Sequence, residues 1–279
     1  MFFTGFPLIK RINMTDQAAL NQCDKLKVEI IEHTAMITIS NPPANTWDEN
    51  SLPALKNIVE TLNRDSNIYS LVLTGEGDKF FSAGADLKIF AEGGKKSAIT
   101  MSDHFGDAFV TLSEFRGVSI AAINGYAMGG GLEVALACDI RIAEEQAQMA
   151  LPEASVGLLP CGCGTQFLSW LVGEGWAKRM ILCGERLDAK KAEKIGLIEE
   201  VVETGQAKNQ ALELAKKVAQ QSPSSVRACK PLIQAARHQP MFRALSVEGA
   251  AFVQLFDTQD QSEGVNAFLE KRKPQWKNA

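Results

Sequence analysis

Two glutamates set in apolar surroundings are the side chains of this 279-residue chain best suited to chemistry. Glu133 closes the run Asn124-Gly125-Tyr126-Ala127-Met128-Gly129-Gly130-Gly131-Leu132-Glu133, and Glu153 stands in Ala150-Leu151-Pro152-Glu153-Ala154-Ser155-Val156-Gly157-Leu158. A helix opening at Gly130 would project the Glu133 carboxylate from the same face as the Gly130 N–H. Two carboxyl groups near one site can divide proton labour. Each raises the cost of ionising the other, so one can stay ionised to activate water while its neighbour stays protonated to donate. Each acid also has a plainer use: Glu133 as a first-turn residue favoured by the helix dipole, Glu153 as a surface turn.

The glycines before Glu133 offer a second kind of chemistry. They join an apolar strand to a helix, where backbone N–H groups lack partners and the missing Cβ atoms let a ligand approach. That arrangement suits an anion or a developing oxyanion. Neither a P-loop nor a G-x-G-x-x-G fingerprint can be written from these glycines, and tight helix–sheet packing is the commoner use of such a cluster. Lys79-Phe80-Phe81-Ser82-Ala83-Gly84-Ala85-Asp86-Leu87-Lys88 again places small residues after a strand, exposing backbone donors, or it is simply a turn. Ser82 is not in a G-x-S-x-G elbow, which argues against a hydrolase nucleophile.

The elements that must position these residues alternate. Ala35 to Ser40 reads as a strand stopped by Asn41-Pro42-Pro43. Leu52, Leu55, Ile58, Val59 and Leu62 share one helical face behind Ser51 as cap and Pro53 in the first turn. Leu71 to Thr74 and Val118 to Asn124 are buried strands, Gly130 to Cys138 a helix, and Ile140 to Ala143 a strand. Asp188 caps a short helix to Lys194 closed by Gly196, and Ile198 to Val202 is a further strand. Such alternation implies an α/β protein with parallel pairing. Beyond Gly205 the chain reads as helical over 207–220, 224–238 and 242–271, with breaks at Pro223, Pro240 and Gly264. We therefore expect an extension over 1–24, a strand-rich core with the site over 25–205, and a helical region over 206–279.

Composition excludes several classes. With 46% apolar residues and a net charge of −4 the chain is neither disordered nor a general binder of nucleic acid or anionic lipid. Its six cysteines lie apart except for Cys161-Gly162-Cys163, and its three histidines are isolated, so no zinc-ligand spacing appears and free thiols in a reducing cytoplasm are expected. The start, Met1 to Arg11, has its charges on the wrong side for a secretory signal; Met14 is an alternative start, and no acid precedes Asp16, as in an organellar leader. The stretch from Val118 to Ala137 carries Glu133 at a depth too costly for a membrane span and reads as interior.

In order and spacing, Phe81-Ser82-Ala83-Gly84-Ala85-Asp86, Asn124-Gly125 through Glu133, and Leu151-Pro152-Glu153 with Gly164-Thr165-Gln166 resemble the crotonase (enoyl-CoA hydratase/isomerase) superfamily from about residue 25 to the C-terminus. The resemblance implies a crotonase-like fold of stacked strand–strand–helix units with a helical C-terminal trimerisation region, giving homotrimers or hexamers. It implies a coenzyme A thioester as substrate, no metal or redox cofactor, and a place in fatty acid metabolism. Ala85 and Gly130 would form the oxyanion hole, each donor contributing roughly 3 to 4 kcal/mol in a dry site. With glutamate at both acid positions, the implied reaction is reversible syn addition of water to a trans-2-enoyl-CoA. Glu133 and Glu153 hold and activate the water, and Glu153 protonates C2.

Ala83, Asp86, Leu87 and Lys88 align with positions near the coenzyme, as do Phe268 and Lys271, the last two from a neighbouring subunit. One departure stands out: Pro160-Cys161-Gly162-Cys163-Gly164 replaces a glycine-rich run, with the cysteines as small packing residues beside the acyl group. Alternatives are an isomerase, a pathway-specific acyl-CoA hydratase, or a non-catalytic RNA-binding protein on this fold using Lys190-Lys191 or Lys271-Arg272-Lys273.

Overall fold

The computed structural model describes residues 20–279; the expectations for Met1–Arg11, Met14 and Asp16 lie outside them. Among the described residues there are two sheets. Six strands form the first in the order β1 (Leu26–Ile31), β2 (Thr34–Ile39), β3 (Ser70–Gly75), β5 (Val118–Ile123), β7 (Ile140–Glu144), β10 (Glu200–Val202), and four form the second in the order β4 (Phe80–Ser82), β6 (Tyr126–Met128), β8 (Gln148–Ala150), β9 (Leu187–Asp188). Of the strand pairs among the described residues, β1–β2 and β8–β9 are antiparallel and the rest parallel.

The chain steps from first sheet to second and out through a helix, three times over. β3 and β4 lead into α2 (Leu87–Ser113), β5 and β6 into α3 (Gly130–Ala137), and β7 and β8 through the 3₁₀ turn Glu153–Val156 into α4 (Gly164–Leu182). This is the stacked strand–strand–helix arrangement. Because every turn pairs in parallel with the last, the ends of β4, β6 and β8 bring residues 83–86, 128–133 and 150–153 to one place.

The continuous apolar runs are explained by burial on both faces. Leu71, Leu73, Ala121, Ile123 and Ala143 join the main core with α1 (Ser51–Arg64), while Val72, Ile120, Ala122 and Ile142 face α6 (Ala207–Ala219). Ala207, Ala211 and Ala215 recur every four residues, and their small side chains let α6 lie close on the sheet. The remaining helices are α5 (Ala189–Lys194), α7 (Pro223–Ala235), α8 (Met241–Leu255) and α9 (Gln259–Leu269).

Several boundaries differ from expectation. Ser51 lies inside α1; the carboxylate of Asp48 caps it instead, accepting the Asn50 and Ser51 N–H groups at 3.0 and 2.9 Å. The last strand is shorter, beginning at Glu200. The C-terminal helices part at Phe256–Thr258, not at Gly264, which lies within α9, because the Thr258 hydroxyl accepts the Gln261 N–H and starts a new helix. α2 and α4 are additional; they bend at Gly94 (φ 59°) and Gly173 (φ 75°). No helix among the described residues is long and apolar enough to cross a membrane.

Candidate active site

Two peptide N–H groups converge first. Trp47 pairs with Ala85 as an isolated parallel bridge: its N–H donates to Gly84 O at 2.8 Å and its carbonyl accepts from Asp86 N–H at 3.0 Å. Both bonds use the groups flanking Ala85, so the Ala85 N–H points away from Trp47. Gly130 is the first residue of α3, where an N–H has no acceptor within the helix. The two are neighbours because Gly84 (φ 87°) packs without a side chain on the second loop: a Cβ there would stand 2.7 Å from Met128 O and 3.0 Å from Gly130 N. Gly129, at φ 53° and ψ −127°, makes the turn that starts the helix, in a conformation that glycine adopts readily.

Glu133, four residues into α3, is 2% exposed. Its Oε1 accepts the N–H groups of Gly162 (2.8 Å) and Gly164 (2.9 Å), which approach so closely that a Cβ on Gly164 would lie 2.7 Å from that oxygen. Cys163 between them takes a left-handed conformation (φ 73°), turning both amides to the same carboxylate and capping α4. The other carboxylate oxygen of Glu133, Oε2, makes no hydrogen bond with the described residues. Glu153 begins the 3₁₀ turn, and its carboxyl borders Gly129, where a Cβ would stand 3.0 Å from Oε1; its Oε2 is buried without a partner.

Burial pushes the Glu133 carboxyl up to about 7; the amides of Gly164 and Gly162 oppose the rise and Glu153 adds to it. Burial likewise raises Glu153 to about 7. Near neutrality the two sites therefore hold between them about one proton, so the pair can offer an acid and a base together. Cys161 feels both carboxylates, but burial is the larger cause of its thiol being raised to about 12. That makes it a neutral side chain rather than a nucleophile.

Of the residues singled out in sequence, Ala85, Gly130, Glu133 and Glu153 come together. Ala83 and Asp86 flank them, Asp86 capping α2 through the Lys88 N–H (3.1 Å), with Leu87 and Lys88 exposed beside it. Phe268 and Lys271 stand apart, at the end of α9 on the helical region's surface, Phe268 being 83% exposed. Lys191 lies over the Trp176 ring (4.6 Å), and Arg272 is paired with the Glu263 and Glu270 carboxylates.

Sequence reasoning missed Trp47, Phe105 and Phe109. The last two lie on the buried face of α2, where Met101, Phe105, Ala108, Phe109 and Leu112 carry a helical period to which sequence reasoning assigned no element. Phe105 lies against Gly130 and Phe109 against Gly162. Among the described residues no cluster of three or more His, Cys, Asp or Glu side chains could hold a metal ion.

The profile of a family described as "Enoyl-CoA hydratase/isomerase" matches residues 29–279. A short-chain-enoyl-CoA hydratase of Clostridium acetobutylicum is 37% identical over 244 residues, covering 86% of this chain and 92% of that protein. The solved structure of Pseudomonas aeruginosa DspI is 64% identical with a TM-score of 0.90, covering 92% of this chain and 98% of that one. An enoyl-CoA hydratase structure from Bacillus anthracis is 35% identical with a TM-score of 0.89, covering 92% and 100%.

Proposed function

Because the chain belongs to the enoyl-CoA hydratase/isomerase family and is an enzyme of the hydratase type, we propose that it adds water reversibly and syn across trans-2-enoyl-CoA thioesters to give 3-hydroxyacyl-CoA. The observation that carries this reading is the convergence of two carboxyl groups, both raised to about 7, on the loops that present the Ala85 and Gly130 amides. Ala85 and Gly130 donate to the thioester oxygen as the enolate forms, where charge develops and fixed donors help most. Glu133, fixed through Oε1, uses Oε2 to hold the water. Glu153 shares that water, takes its proton as it attacks C3, and returns a proton to C2 on the same face. Acid and base are both carboxyls, so the reaction calls for no metal or redox group.

Ala83, Asp86, Leu87 and Lys88 form the near edge of the coenzyme site. Phe268 and Lys271 complete it from a neighbouring subunit of a homotrimer, itself free to pair into a hexamer. The exposed aromatics of α8 and α9 support that assembly. We assign the enzyme to the cytoplasm, where free thiols such as those of the described residues persist, and to fatty acid metabolism.

Steady-state hydration of crotonyl-CoA and longer 2-enoyl-CoA thioesters, followed by loss of enoyl absorbance, tests the proposal. Isomerisation of 3-enoyl thioesters without hydration of any 2-enoyl thioester would sink it. So would salt-sensitive RNA binding with no turnover.

A further inference from the structure

The segment from Ala44 to Trp47 holds none of the groups given a chemical role above, yet it reaches each part of the site. Ala44 O accepts the Ala83 N–H at 2.9 Å and Trp47 bonds on either side of Ala85, so the register of residues 83–86 is set from this segment. Asn45 (φ 53°) is buried and pins the segment in place: its Nδ2 donates to Glu76 O at 3.0 Å and Phe80 O at 2.9 Å, and its Oδ1 accepts from Asn41 N–H at 3.2 Å.

The Trp47 side chain carries the connection further. Its indole is fully buried and meets Phe109 edge-on, with centroids 6.0 Å apart at 74°, and Phe109 meets Phe105 in the same way at 5.4 Å and 71°. Phe105 and Phe109 fill the places where side chains on Gly130 and Gly162 would begin, 2.7 and 2.6 Å from those Cβ positions. Gly130 is one amide of the pair, and Gly162 holds Glu133. The indole Nε1–H has no acceptor among the described residues, so the ring acts there by its shape.

We propose that Trp47 is a positioning residue, setting the Ala85 amide through its backbone and both Gly130 and the loop that holds Glu133 through the Phe109–Phe105 aromatic stack. The inference rests on reading Ala85 and Gly130 as the oxyanion donors. A close-packed interior transmits a lost side chain as displacement of its neighbours, and donors displaced by a fraction of an ångström lose much of their effect on a developing charge.

The test uses a conjugated dienoyl-CoA thioester, whose absorption moves to longer wavelength as its carbonyl is polarised, together with crotonyl-CoA kinetics. Trp47→Phe removes no hydrogen bond, so it reads packing alone. It should lower kcat by about 10-fold, leave KM within about 2-fold, and shrink the red shift of the bound dienoyl group. Trp47→Leu should do more of each. Phe109→Leu, the other end of the stack, should also lower kcat and serves where Trp47→Leu does not fold. A merely structural role would lower the melting temperature without touching the red shift. Wild-type red shift and kcat in Trp47→Phe and Phe109→Leu would overturn the positioning role alone. No red shift in the wild type with bound thioester would overturn the oxyanion reading and the positioning role with it.

Discussion

In the strand core, the buried Asn124, Thr74 and Asn45 side chains find their partners inside the chain. Asn124 donates to the carbonyls of Gly75 (3.0 Å) and Gly77 (2.8 Å) and accepts from Gly75 N–H, Thr74 donates to Ala122 O, and Asn45 binds the same loop from its other side. The helices after α6 do the reverse with their apolar groups. No residue of α8 is buried, and Phe242, Phe252 and Phe256 on or beside it stand exposed, as do Phe268 and Leu269 at the end of α9. An exposed apolar face of this kind suits the subunit interface proposed above. The core is thus the closed region, its interior packed within the chain around the two candidate acids; the helical region is open and presents aromatic side chains. A charged bolt between them is Lys230 of α7, which donates to Phe115 O (2.6 Å), Gly117 O (3.1 Å) and the Asp139 carboxylate (2.7 Å), beside the Gln234 amide on Ser113 O (2.9 Å).

The comparison breaks most directly at the core's acids. Glu153→Gln should lower kcat for crotonyl-CoA hydration by about 10²-fold or more, since it removes the proton donor and acceptor, and KM should change far less. Glu133→Gln should act similarly. Both proteins should keep the wild-type oligomeric state by sedimentation, because the acids belong to the closed region. Near-normal turnover by both variants would detach chemistry from the core.

Removing the bolt is the next largest effect. Lys230→Ala leaves the Asp139 carboxylate, which also accepts Ser119 N–H and Oγ–H, without its cation, and should cost about 2–4 kcal/mol in denaturant unfolding. If the two regions are held chiefly here, limited proteolysis should cut between 205 and 230 faster in the variant. An unchanged cleavage rate would mean that α6, packed on the sheet through its alanines, carries the attachment.

A charge on the open region sharpens the contrast from the other side. Phe256→Asp places a carboxylate on the apolar face and should weaken self-association by about 2 kcal/mol or more, read as a shift toward smaller species by sedimentation velocity. The dissociated chain should keep its far-ultraviolet circular dichroism. If Phe268 and Lys271 serve a neighbour's coenzyme site, KM should rise as the assembly falls apart.

The same division explains what could be read in the sequence. Glu133 and Glu153 were legible because ionisable groups are rare in apolar runs, and the glycines because their spacing places close approaches beside them. β3 and β5 were legible as continuous apolar runs buried on both faces. The hold of Gly162 and Gly164 on Glu133 was not, since a peptide N–H leaves no mark in residue type. Nor was the pairing of Trp47 with Ala85, which joins loops distant in the chain. α2 was hidden by Gly93 and Gly94 in its early turns, and in the helical region Gly264 drew the expected break away from Thr258, whose hydroxyl makes it.

The smallest expected effect is on stability, and its sign follows from how the closed core treats Glu133. Unfolded, the carboxyl titrates near 4.5; folded, burial raises it to about 7. Across that window the native protein keeps a proton that the unfolded chain has released, so this group's stabilisation is fully present below about pH 4.5 and is lost as pH rises through 7. Glu133→Gln cannot ionise, and its carbonyl oxygen can still accept from Gly162 and Gly164. The variant should therefore be more stable than the wild type by about 1–3 kcal/mol at pH 8 and no more stable near pH 4.5, measured by chemical denaturation at both. A gain of equal size at the two values would mean that packing, not ionisation, sets the difference, and the closed core would then owe nothing to the charge it buries.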